Sequence, residues 1–243
     1  QLTGHLSKQL LPVYLVCGEE LLINQECCDT IRQHCRKEGI SEREVLNVDR
    51  SFDWGQLLDA GQSMSLFADR KLIELRLGDS KMDQKSSAAL QEYLQHVDGS
   101  NILLVSCGKL DSRSMNSKWV KALDNAGAVI QVWPVDRQHL NNWIMQRMRN
   151  IGRSADNDAV QLLADRVEGN LLAADQEISK LKILAGDRTI TADVVANAVA
   201  SSARYDVFKL IDTALAGNAG NALQMLHSLQ AEGGEDIAML GAV

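Results

Sequence analysis

The sequence predicts a parallel α/β domain followed by an all-helical one, and three observations carry that prediction. Five short runs rich in Val, Ile and Leu lie near or between the chain's two prolines, Pro12 and Pro134, bounded by Gly, Asp or Ser. Buried parallel strands read in this way. The stretches between the runs carry apolar residues at helical spacing, and strands alternating with helices imply a parallel sheet covered on both faces. Beyond Pro134 the strand-like runs cease. Only 4% aromatic residues and two prolines also disfavour a small all-β domain.

In chain order, the strand-like runs are Val13–Cys17, Glu44–Asp49, Lys71–Leu77, Asn101–Ser106 and Ala128–Trp133. The first helix is expected over Glu20–Glu38, with Leu21, Cys28, Ile31 and Cys35 on its buried face and Gly39 just past its end. Further helices are expected over Asp53–Gln62, Asp83–Val97 and Asn116–Asn125. The second domain should contain helices at Arg137–Asn150, Asp156–Val167, Leu171–Ala185 and Thr191–Ala200, punctuated by Gly152, Gly169 and Gly186. Another helical pair begins near Tyr205 and continues through Ala222–Leu229. The apolar stretch from Asp236 to Val243 starts a helix without a partner face. The expected division is therefore 1–135, 136–203 and 204–243, the last being the opening of a third domain.

Composition excludes several functions. With 243 residues and 45% hydrophobic content, the chain has enough apolar material for packed cores, which rules out disorder as the main story. No run approaches the roughly 18 apolar residues of a membrane span, and the chain opens on no secretory leader. The balance of 25 basic against 32 acidic residues gives −7, which argues against a protein that coats nucleic acid. Five cysteines, an odd number, fit reduced thiols and a cytoplasmic location better than a disulfide framework.

Catalytic chemistry is hard to place. A phosphate-binding loop after the first strand would need G-x-x-x-x-G-K-S/T. The chain instead reads Cys17-Gly18-Glu19-Glu20-Leu21-Leu22-Ile23-Asn24. It has no lysine there, and Glu19 and Glu20 would complement the helix dipole and repel an anion. The third strand ends in Gly78-Asp79, without an Asp-Glu pair to hold Mg²⁺, and Asp79 reads as a turn residue. Cys27, Cys28, His34 and Cys35 share one helix and match no zinc spacing, so no metal site is expected. The histidines form no triad, so no catalytic residue and no cofactor are assigned. Basic residues around Arg147 and Lys118 read as solvated faces.

One tract stands out. Gln62-Ser63-Met64-Ser65-Leu66-Phe67 concentrates Met, Leu and Phe at a connection that should be exposed. Residue types alone favour a loop tucked into the domain's own core, with a peptide presented to a partner's pocket as the other reading.

The same tract, followed by Ala68-Asp69-Arg70-Lys71 and a strand, resembles the clamp-binding element of the δ-subunit family of bacterial DNA polymerase III clamp loaders. Tyr14-Leu-Val-Cys-Gly18 with its acidic, Leu-rich helix start resembles that family too. Val167-Glu-Gly-Asn-Leu-Leu-Ala173 resembles its lid-helix start. The likeness runs over essentially the whole chain. It implies an AAA+-like α/β domain, a helical lid and the start of a helical collar. Catalytic relatives open the lid helix with Gly-x-x-Arg, where this chain has Leu172; Gly18, Glu19, Glu20 and Leu172 thus mark a degenerate, non-binding nucleotide site. The resemblance reverses the reading of the tract. Leu66 and Phe67 would enter a hydrophobic pocket on the ring-shaped sliding clamp (the β subunit), with Met64 and Ser65 alongside and Gln62 at the rim. It further implies opening of the ring without ATP hydrolysis by this chain. The implied partners are the γ/τ and δ′ loader subunits and, weakly, primed DNA, with no membrane and no small-molecule substrate. Nucleotidyl transfer would belong to other subunits of the holoenzyme. A divergent AAA+ NTPase and a DNA-binding replication accessory protein are the alternatives.

Overall fold

The computed structural model describes residues 2–63, 70–78, 80–97, 99–167, 169–186, 188–202, 213–215, 217, 220 and 223. The chain divides into two compact units, Gln1–Pro134 and Val135–Val243. Most of the stretch 204–243 lies outside the described residues, as do Met64, Ser65, Leu66 and Phe67.

The first unit is built on five parallel strands: β1 (Val13–Gly18), β2 (Glu42–Asn47), β3 (Lys71–Gly78), β4 (Ile102–Cys107) and β5 (Ala128–Val132). Their order across the sheet is β2-β3-β4-β1-β5. All five were expected from the apolar runs, with ends moved by one or two residues. The second strand is displaced most. It stops at Asn47 because Asp49 turns the chain, its carboxylate accepting from the Ser51 N–H at 2.8 Å. Trp133 was expected inside the fifth strand; it lies past the strand's end and is largely exposed.

Helices cover both faces. On one side, α1 (Leu2–Leu6) and α2 (Leu21–Lys37) bury Leu6, Cys28, Ile31 and Cys35 against Tyr14, Val16, Ile102 and Leu104. On the other, α3 (Gly55–Gln62), α4 (Gln84–Gln95) and α6 (Lys118–Ala126) bury Leu57, Leu90, Trp119 and Leu123 against Leu15, Ile73, Leu75 and Val105. A short α5 (Ser112–Met115) and α1 were not anticipated; neither is long enough to show a periodic stripe. Leu21 departs from expectation. It is the first residue of α2, stands at the sheet's carboxyl edge and is 56% exposed, while Leu22 takes the buried place.

β1 and β5 approach closely at two glycines. A Cβ on Gly127 would lie 1.9 Å from the Val13 carbonyl oxygen, and one on Gly18 would lie 2.2 Å from that of Val132. No larger residue fits either position.

The second unit holds α7 (Arg137–Asn150), α8 (Asn157–Val167), α9 (Leu171–Ala185) and α10 (Ala192–Ser202). Leu140, Ile144, Leu163, Ile178 and Leu181 are buried as the spacing predicts. An isolated parallel bridge, Ala155 to Ile190, ties the loops before α8 and α10. The basic cluster on α7 is partly consumed: Arg147 donates to Asp175 at 2.7 Å and lies over the Trp143 ring.

Candidate functional site

In a doubly wound sheet, ligands sit beyond the carboxyl ends of the strands where the strand order reverses. Here that place lies beyond β1 and β4. A cleft of about 680 Å³ opens there, lined by Gly18, Glu19, Asn24, Arg76, Gly108 and Lys109 among others. Asn24, one turn into α2, donates its amide to the carbonyl oxygens of Gly18 at 3.1 Å and Cys107 at 3.2 Å. This side chain stitches together the ends of β1 and β4, where a phosphate loop would need to wrap. Glu19 is exposed and accepts from the Lys109 ammonium at 2.8 Å. Its charge is thereby matched from across the sheet. Glu20 is the residue preceding α2; burial pushes its carboxyl up, only partly opposed by the nearby Leu22 N–H. A cation near this turn is thus already engaged, and both acids remain where an incoming phosphate would meet them. The structure brings Gly18, Glu19 and Glu20 together at one turn. Leu172 stands in the other unit, second in α9 and 38% exposed, after an Asn170 cap that accepts from the Ala173 N–H at 3.0 Å.

A second cleft of about 740 Å³ flanks the first and carries Lys81, Lys109, Arg113 and Lys118. Among the described residues its acids are Asp83 and Asp111, which cap α4 and α5 by accepting from the N–H groups of Ser86 at 2.8 Å and Ser114 at 2.7 Å. Those hydrogen bonds hold both carboxyls below the usual aspartate range. Lys109 is engaged by Glu19, while Lys81, Arg113 and Lys118 line the cleft beside acids that are directed into helix ends.

The apolar tract joins α3 to β3. Gln62 is exposed at the last position of α3. Met64, Ser65, Leu66 and Phe67 lie outside the described residues. The residues bounding the tract are fixed. Ser63 donates its N–H to Asp59 at 2.8 Å, and Lys71, only 2% exposed, donates its ammonium to Ser63 Oγ at 2.6 Å and Glu44 at 2.8 Å. Sequence reasoning missed Asn24, Lys71 and Asn101. The available signal for Lys71 was a lysine opening a strand whose first positions are otherwise buried.

A further feature of the first unit is a buried ion cluster. Glu74 on β3, 1% exposed, is held by Arg32 of α2 at 2.5 Å, Arg43 of β2 at 2.7 Å and Arg76 at 3.2 Å. Among the described residues, no three His, Cys, Asp or Glu side chains converge to hold a metal ion. No helix among them is long and apolar enough to cross a membrane.

Comparison with known proteins bears on the family and the fold. The family described as DNA polymerase III, delta subunit, matches residues 14–132. The DNA polymerase III subunit delta of Escherichia coli (strain K12) is 31% identical over 99% of this chain and 70% of its own length. Among solved structures, the Bacillus subtilis DNA clamp loader delta protein superposes with a TM-score of 0.62 at 23% identity, covering 99% of this chain and 74% of that one. The Thermotoga maritima RuvB Holliday junction branch migration motor superposes with a TM-score of 0.52 at 11% identity, covering 87% and 74%. The last two similarities speak for a shared AAA+-like architecture. The extent and level of identity to the E. coli protein, together with the matching domain, assign this chain to the delta-subunit family of the DNA polymerase III clamp loader.

Proposed function

We propose that this chain binds the sliding clamp through Leu66 and Phe67 and favours the opened ring, without binding or hydrolysing ATP itself. The observation that carries the reading is the composition of the tract Gln62–Phe67 at a connection whose flanking residue, Gln62, is exposed. Leu66 and Phe67 supply the anchor, Met64 and Ser65 extend the contact, and Gln62 hydrogen-bonds at the pocket rim. Burying the two anchors contributes about 3–6 kcal/mol before the costs of association. Preference for one clamp conformation over the other shifts the population toward the open ring, so no chemistry is needed at this subunit. The Gly18-Glu19-Glu20 turn and the Asn24 stitch support a first unit that takes no nucleotide, and Leu172 of the second unit stands where the resemblance would require an arginine. The other loader subunits, γ/τ and δ′, are then the partners that handle ATP. The cationic cleft around Lys81, Arg113 and Lys118 supports contact with the phosphates of primed DNA inside the assembled loader.

The test compares wild type with the Leu66→Ala/Phe67→Ala double variant on purified clamp. The double variant should lose at least about a hundredfold in affinity, corresponding to the lower part of that burial range. Equal binding by a folded double variant would remove the proposed anchor. Micromolar ATP binding by the wild-type chain alone would overturn the reading of the nucleotide turn.

A further inference from the structure

We propose that Asn101 and Lys71 form a clasp that fixes both ends of the clamp-binding tract, making them positioning residues for clamp recognition. The proposal rests on the clamp-binding reading above. The chain leaves α3 at Ser63 and enters β3 at Lys71, and two side chains tie these ends together. Asn101, just before β4, accepts the Lys71 N–H on its Oδ1 at 3.1 Å and donates its Nδ2 to the Gly61 carbonyl at 3.2 Å. One amide thus bridges the outgoing helix α3 and the returning strand β3. Both bonds together set the amide's orientation, because a backbone donor lies on one side and a backbone acceptor on the other.

Lys71 makes the second tie. Its side chain is 3% exposed, and its ammonium donates to Ser63 Oγ at 2.6 Å and to Glu44 of β2 at 2.8 Å. Ser63 Oγ in turn donates to the Ala60 carbonyl at 3.3 Å. A buried ammonium has strong reason to keep these partners, since leaving it unpaired is costly. Gly61 completes the arrangement: a Cβ there would come 2.6 Å from Cε2 of Tyr93, so the end of α3 lies directly on that ring. The anchors of the tract are therefore carried between ends held by β2, β4 and α4.

Such a clasp matters for binding because a recognition element whose two ends are held to the sheet needs less reorganisation to meet a partner surface. Neither Asn101 nor Lys71 needs to touch the clamp. A general role in folding would change stability alone; a positioning role changes clamp affinity through Leu66 and Phe67.

The experiment measures affinity of the 243-residue chain for purified clamp, with denaturation midpoints recorded for every variant. Lys71→Met keeps the apolar stem and removes the ammonium; Asn101→Ala removes the bridge; Ser63→Ala, at an exposed position, loosens the tie with least risk to folding. Each should weaken clamp binding about tenfold, the scale of one or two lost hydrogen bonds. Asn101→Asp, which keeps the acceptor for Lys71, should fall between wild type and Asn101→Ala. Repeated in the Leu66→Ala/Phe67→Ala background, the same substitutions should have no further effect. Wild-type affinity in all three folded clasp variants, with binding lost only in the double anchor variant, would overturn the clasp and leave the clamp reading standing. Equal weakening with and without the anchors would also overturn it. An anchor variant that binds like wild type would instead remove the reading on which the clasp rests.

Discussion

Glu74 offers the sharpest test of how the first unit holds together. Its carboxylate is almost fully buried in the middle of β3, with Arg32 at 2.5 Å, Arg43 at 2.7 Å and Arg76 at 3.2 Å. Burial alone would raise its carboxyl, but the hydrogen bonds and charges of Arg32 and Arg43 outweigh burial and hold it below the usual value of 4.5. Glu74→Gln keeps the shape and removes the charge. Taking one partner from a buried ion cluster costs about 3–5 kcal/mol. Here the cost is smaller, because Arg43 and Arg76 are 34% and 43% exposed and Arg32 keeps Asp29 at 2.5 Å. A loss of about 2–3 kcal/mol is expected, or a urea midpoint lower by about 1–1.5 M for a slope near 2 kcal/mol/M. The pH dependence has a definite sign. A depressed carboxyl contributes stability above its unfolded value and loses it as pH falls through the folded value. The gap between wild type and Glu74→Gln should therefore be full at neutral pH and close on acidification below about pH 4. Urea titrations of both proteins from pH 7 to pH 3 give the measurement. A gap under about 0.5 kcal/mol at pH 7, or one unchanged at pH 3, would refute the assignment of Glu74 as a net stabilising charge.

Other consequences are equally direct. Gly127→Ala and Gly18→Ala place a Cβ 1.9 and 2.2 Å from the facing carbonyl oxygens, so each should destabilise by more than about 3 kcal/mol in urea unfolding. Gly4→Ala, with nothing within 4 Å, should leave the midpoint nearly unchanged. Burial pushes the thiols of Cys28 and Cys35 up to about 11, so iodoacetamide at pH 8 should label the half-buried Cys27 first and reach those two only on unfolding. Mass spectrometry of the alkylated peptides reads this out. Asn24→Ala frees the carbonyls of Gly18 and Cys107 and should cost about 1–2 kcal/mol without conferring ATP binding, as judged by urea unfolding and equilibrium dialysis.

The layout of strands and helices was legible because each apolar run is local and its period is its own signature. KLIELRL reads as a strand despite its charges, and it is one. What no window of sequence discloses is why those charges are tolerated. Glu74 is matched by Arg32 and Arg43, 42 and 31 residues away, and Glu19 by Lys109, 90 residues away. Lys71 opens β3 as expected, but its buried ammonium is matched by Ser63 and Glu44, 8 and 27 residues away. Leu21 shows the same limit from the other side: its apolar character suited the helix face, but only the tertiary position of the helix start decides that Leu22 is covered instead. That the turn after β1 contains no lysine is plain in the sequence, whereas the Asn24 bridge between strand ends required the fold to be seen.

The central claim is that the chain engages the clamp by an apolar anchor and needs no nucleotide to do so. Its most direct measurement is binding of the 243-residue chain to purified sliding clamp in nucleotide-free buffer, with and without added ATP. The complex should be saturable, with an affinity that is unchanged by ATP and changes little between low and high salt, as apolar contacts require. Binding that appears only with ATP, or that collapses with salt, would contradict it.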